Sequence, residues 1–94
     1  MTPDEIRAKL EEFRKHIDKI DEALLIILNE RAKVALDISD YKRRHGIDIE
    51  DSNREQIVIK NYQSKNEGPL NGNDVQQIAK KIIEIIRELE KRKS

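Results

Sequence analysis

Residues 3–44 read PDEIRAKLEEFRKHIDKIDEALLIILNERAKVALDISDYKRR. Apolar side chains recur in this stretch at Ile6, Leu10, Phe13, Ile17, Ile20, Leu24 and Ile27, then at Val34, Ile38 and Tyr41. The steps alternate between four and three residues, the repeat of one face of a long α-helix. One beat is missing. Between Ile27 and Val34 the rhythm asks for an apolar residue, and Arg31 stands there. A guanidinium in an apolar seam is costly unless it meets an anion. Arg14 and Lys42 border the same seam, and Arg54 adds a fourth cation downstream. The pattern reads as a helical scaffold that gathers cations around a small polyanion.

The ends of this helix are written in the same stretch. Thr2 is a candidate N-cap, Pro3 suits the first helical position, and Asp4 and Glu5 complement the helix dipole there. Gly46, after Arg43, Arg44 and His45, is a C-terminal stop. A helix from Pro3 to Arg44 is roughly 60 Å long at about 1.5 Å per residue. No compact domain of 94 residues has a core that long. A partner is therefore expected to cover much of it, and a second copy is the simplest one.

Beyond Gly46, Ile47 to Glu50 reads as a short extended link. Ser52-Asn53-Arg54-Glu55 has the form of a capping box and should open a second helix carrying Ile57, Val58, Asn61 and Tyr62. That helix should stop near Asn66-Glu67-Gly68-Pro69. A third is expected from Asn73 or Asp74 to about Lys91, with a seam of Val75, Ile78, Ile82, Ile85 and Leu89. Its second stripe, Ala79, Ile83 and Ile86, continues to Glu90. The sequence contains neither repeats nor strand-like alternation. The predicted class is all-α: one domain over residues 1–94, three helices, the first very long.

Composition bounds the function. Charged residues make up 40% of the chain and aromatics 3%, so a lone copy buries a thin core. Nineteen acidic residues balance nineteen basic ones, which argues against nucleic acid or a membrane surface as partner. No stretch is long and apolar enough to span a bilayer, and the first residues lack a signal-peptide core. With no cysteine there is neither disulfide nor thiol chemistry, and a cytoplasmic location is expected. The wealth of Ile, Lys and Glu fits a thermophile or a redesigned sequence.

Geometry narrows the candidate site. Arg31 and Lys42 are eleven residues apart, three helical turns, so they share a face roughly 16 Å apart along the axis. Two long side chains reaching toward each other span a small ligand. Arg14 precedes Arg31 by roughly 25 Å and cannot meet that ligand within its own chain. In an antiparallel pair of helices, Arg14 of one copy reaches the Arg31–Lys42 end of the other, giving two symmetric sites. Asp51, Arg54 and Glu55 share the first turn of helix two. Plainer readings stand beside these. Glu55 serves the capping box alone, Arg31 snorkels or pairs with Asp21 or Glu55, and Arg14, Lys42 and Glu90 are solvated surface charges.

Taken together, the set resembles the all-helical (AroQ-type) chorismate mutase family over nearly the whole chain. The matching phrases are Arg14-Lys15-His16-Ile17-Asp18-Lys19-Ile20-Asp21, Leu28-Asn29-Glu30-Arg31, Tyr41-Lys42 and Asp51-Ser52-Asn53-Arg54-Glu55. The resemblance implies an intertwined antiparallel homodimer that rearranges chorismate to prephenate, a branch step toward phenylalanine and tyrosine. It implies that Arg31 and the partner's Arg14 bind the substrate carboxylates. It implies that Lys42 binds a carboxylate and the ether oxygen of the breaking bond. Asp51, largely through its backbone, and Glu55 would hold the ring hydroxyl, with Arg54 supporting the charge network. The reaction is unimolecular, so no nucleophile, metal or cofactor is expected. His16 and His45 are not spaced as metal ligands. Fixed cations in a dry pocket both fold the dianion and stabilise charge on the ether oxygen.

Two positions depart from the family pattern. Glu90 falls where many members place a glutamine that donates to the ether oxygen, and Ile86 replaces a small hydroxyl residue one turn earlier. An ionised Glu90 repels the substrate, whereas a protonated one donates, as a glutamate does in the fungal type. Its apolar stripe and an anionic ligand both favour the protonated form, so activity is expected to improve as pH falls. Isochorismate-pyruvate lyase and aminodeoxychorismate mutase share this architecture and remain alternatives, with a non-catalytic helical dimer as the alternative of another class. Asp51-x2-Arg54-Glu55 favours a hydroxyl-bearing substrate, because Glu55 accepts the hydroxyl proton.

Overall fold

The structure is a computed structural model that describes residues 1–93. It contains three helices: α1 (Pro3–Arg44), α2 (Ser52–Lys65) and α3 (Gly72–Lys93). Among the described residues there is no strand, so the all-α class and the helix order are as the periodicity predicts. The chain divides into two compact units, Met1–Val34 and Ala35–Ser94.

The first unit is helix throughout, apart from its cap. Thr2 is that cap: its Oγ1 accepts the Glu5 N–H at 3.2 Å, and its carbonyl accepts the Ile6 N–H at 3.1 Å. The apolar seam then runs exposed. Ile6 is 47% exposed, Phe13 and Ile17 56%, Ile20 51% and Ile27 61%. No residue of this unit is buried. An isolated helix draws most of its stability from packing an apolar face, and here that face is bare.

The second unit builds a small core. It opens on the last turns of α1, which close in a Schellman motif. Ile47 N–H donates to the Lys42 carbonyl at 2.8 Å and Gly46 N–H to the Arg43 carbonyl at 3.3 Å. Gly46 takes φ +67°, a left-handed conformation that needs glycine at this position. α2 packs on α3, burying Ile59, Val75 and Ala79. Ser39, on the α1 segment of this unit, is also buried.

The start of α2 differs from the expected capping box. The N-cap is Asp51, whose Oδ1 accepts the Arg54 N–H at 3.0 Å, while its carbonyl accepts the Glu55 N–H at 3.1 Å. Ser52 becomes the first helical residue. A carboxylate satisfies the same orphan donor as a hydroxyl and adds favourable charge at the positive end of the helix, which explains the shift by one residue. Glu55 is thereby released from capping. α3 begins slightly before the expected residue, behind a reciprocal pair. Asn71 Oδ1 accepts the Asp74 N–H at 2.8 Å, and Asp74 Oδ2 accepts the Asn71 N–H at 3.0 Å.

Candidate functional site

In the first unit, two cations of the predicted set are held very differently. Arg14 is exposed and paired with Glu11 at 2.7 Å, one turn earlier on the same helix. Such surface pairs bind weakly and exchange readily. Arg31 is half-buried, although Ile27 and Val34 beside it in the seam are 61% and 57% exposed. Among the described residues it makes no hydrogen bond or ion pair, to Asp21, Glu55 or any other group.

In the second unit, the end of α1, the start of α2 and the end of α3 carry the remaining residues. Lys42, at the end of α1, is half-buried and donates from Nζ to the Ile49 carbonyl at 3.4 Å, tying the link back onto the helix. Asp51 uses its side chain for the cap. Arg54 contributes only its backbone N–H to that cap, and its exposed guanidinium has no partner among the described residues. Glu55 is half-buried and faces α3, where Arg87 Nη2 donates to both its carboxylate oxygens. Ile86 and Glu90, one turn apart on α3, are both half-buried. Ser39 Oγ donates to Glu90 Oε2 at 2.6 Å, and Arg43 Nη2 donates to the Glu90 carbonyl at 3.4 Å.

Three of these partners, Arg87, Ser39 and Arg43, were not singled out in the sequence. Ser39 had a signal. With Ala35 it forms a run of small residues on α1, and such runs let a neighbouring helix approach closely. Arg87 had one too, as a long cation beside the α3 stripe, one turn after Ile83. Its guanidinium is held even more firmly charged than usual. The hydrogen bond to Glu55 is the main cause, followed by the charge of Glu55; desolvation opposes them, and Glu50 and Glu90 add smaller contributions in the same direction as Glu55.

The chemistry available is that of charge. The site residues supply cations and carboxylates without a thiol, and among the described residues no cluster of His, Asp and Glu is arranged to hold a metal ion. Nor is any described helix long and apolar enough to cross a membrane.

Comparison with known proteins gives this charge pattern a family. Over 50 residues the chain is 42% identical to a chorismate mutase of Methanocaldococcus jannaschii, covering 53% of this chain and 50% of that protein. Over 51 residues it is 43% identical to a bifunctional chorismate mutase/prephenate dehydratase of Aquifex aeolicus, covering 54% of this chain and 14% of that protein. The chain thus spans half or less of the length of these curated relatives. Among solved structures it is similar to form II of the chorismate mutase from Thermus thermophilus, with a TM-score of 0.86 and 24% identity. That match covers 89% of this chain and 96% of the other. Form I gives a TM-score of 0.81 at 22% identity, covering 83% and 98%. At such identities the likeness establishes the fold. The family model described as chorismate mutase type II matches residues 13–91, and the chain belongs to that family.

Proposed function

We propose that this chain converts chorismate to prephenate, a step in making phenylalanine and tyrosine. It does so as a single domain over residues 1–94, paired with a second copy in an intertwined antiparallel homodimer. The observation that carries the reading is Arg31: a half-buried cation in an apolar seam, inside the family match, with no anion of its own. Such a group is destabilising until an anion arrives. The bare seam of the first unit supports the dimer, because a second copy offers a matching apolar face.

Arg31 and the partner subunit's Arg14 take the substrate carboxylates. Lys42 takes a carboxylate and the ether oxygen. Asp51 and Glu55 hold the ring hydroxyl, Arg54 balances the charge, and Ile86 lines the site with a methyl-bearing wall. Together they fold a flexible dianion into its reactive chair and stabilise the electron density that gathers on the ether oxygen as the C–O bond breaks. Glu90 completes the set from α3. Ser39 occupies its Oε2. That leaves Oε1, whose O–H in the neutral acid would donate a hydrogen bond to the ether oxygen. The location is cytoplasmic, in keeping with a chain free of cysteine.

The test is the loss of chorismate absorbance with purified protein, with the product identified. Prephenate should form, Arg31→Ala should lower kcat/KM chiefly through substrate binding, and Lys42→Ala should lower kcat about 10²- to 10³-fold, the usual loss for one donor at a developing oxyanion. Release of pyruvate would make the chain a lyase of the same fold. No turnover above the uncatalysed rate would leave a non-catalytic dimer. For Glu90, Glu90→Gln keeps a donor and should hold or raise kcat, whereas Glu90→Ala should lower it. Equal loss in both variants would remove Glu90 from the hydrogen-bond-donating role.

A further inference from the structure

We propose that Arg87 is a positioning and specificity residue, which holds the Glu55 carboxylate turned to accept a hydrogen bond from the substrate's ring hydroxyl. This rests on the mutase reading above and deepens it.

The pairing is direct: Arg87 Nη2 donates to both oxygens of Glu55, from α3 to the first turn of α2. Each carboxylate oxygen has two acceptor directions, so one guanidinium nitrogen fixes the group without exhausting it. The geometry is not that of an ordinary structural fork. Arginine usually pairs with a carboxylate through two parallel N–H donors. Here one nitrogen serves both oxygens, and Arg87 Nε is buried without a hydrogen-bond partner among the described residues. A buried donor left unmatched weakens a pair as a stabilising device. The pair is also partly open to solvent, with side chains 43% and 24% exposed, where an ion pair adds little to folding. What the arrangement does achieve is local. Glu50 and Glu90 also act on Arg87 through space. Arg87 is therefore the cation that offsets a group of carboxylates at a place meant for a dianion. Without it, Glu55 is free to turn, and the site gains negative charge against its substrate.

The consequence is selectivity for a hydroxyl donor. A fixed anion accepts from a hydroxyl and gains nothing from an analogue that lacks one. The experiment measures kcat and KM for chorismate and for its analogue without the ring hydroxyl, in wild type, Arg87→Met, Arg87→Lys, Glu55→Gln and the Arg87→Met/Glu55→Gln double variant. Circular dichroism checks that each is folded. Arg87→Met should raise KM for chorismate roughly tenfold or more, the usual cost of a hydrogen bond to a charged group, with a smaller change in kcat. Its preference for chorismate over the analogue should shrink by the same factor. Arg87→Lys should restore most of that preference, and the double variant should be no worse than Glu55→Gln alone. The proposal is overturned if Arg87→Met keeps the wild-type preference, or if its loss adds fully to that of Glu55→Gln. If wild type itself fails to turn over chorismate, the mutase reading falls and takes this proposal with it. Turnover by wild type with an indifferent Arg87→Met removes this proposal alone.

Discussion

The two units of this chain are stabilised in opposite ways. Met1–Val34 has a regular apolar seam and buries none of it. The unit from Ala35 onward has weaker helical periodicity in α2 yet buries Ile59, Val75 and Ala79, and it caps both helices that begin within it. The clearest sequence signal thus belongs to the part least able to fold alone. A strong seam reports that a surface will be covered, and the covering group need not belong to the same chain.

This contrast is sharpest at Ile20, in the middle of the bare seam. Ile20→Glu should place a charge in the proposed dimer interface, at a cost on the order of 3–5 kcal/mol for each copy. Sedimentation should show loss of the dimer, and the helical dichroism signal should fall with it. An intact, fully helical dimer would mean that the seam is not the interface. A smaller effect is expected at the cap of α2. Asp51→Ala should lower stability by about 1 kcal/mol, whereas Ser52→Ala should change it by a few tenths at most. Thermal melts that rank the two in reverse would restore Ser52 as the cap. The smallest effect concerns Arg14. Glu11→Ala removes an exposed pair worth less than about 1 kcal/mol, so the melt should barely move. On the proposed reading, KM for chorismate should fall, because Glu11 would compete with substrate for Arg14. A rise in KM would separate Arg14 from the substrate.

The long first helix was fully legible, from the Thr2 cap to the Gly46 stop, because spacing and end signals agree there. The cap of α2 was misplaced by one residue, since Asp51 and Ser52 are both good caps and only the backbone of the link decides between them. Arg31 and Lys42 were legible as candidates because their spacing along α1 is helical and Arg31 breaks an apolar pattern. Their partners were not. Arg87, Ser39 and Arg43 meet Glu55 and Glu90 across 32, 51 and 47 residues of sequence, and helical periodicity carries no information at that range. The plain reading of Glu55 as a capping residue was reasonable from sequence. It fails because a carboxylate one residue upstream of Ser52 had already satisfied the helix end.

The contact between Lys42 and Ile49 has a consequence for the proposed site at rest. Nζ rests on a neutral carbonyl at 3.4 Å, near the long limit of a hydrogen bond. The ammonium is parked rather than bound. An arriving carboxylate outcompetes such an acceptor easily, since a charged partner makes the stronger bond. The same exchange is open to chloride or phosphate in the buffer. Ionic strength is thus a direct competitor for this lysine, and on the proposed reading anionic media should slow substrate capture before they touch the fold.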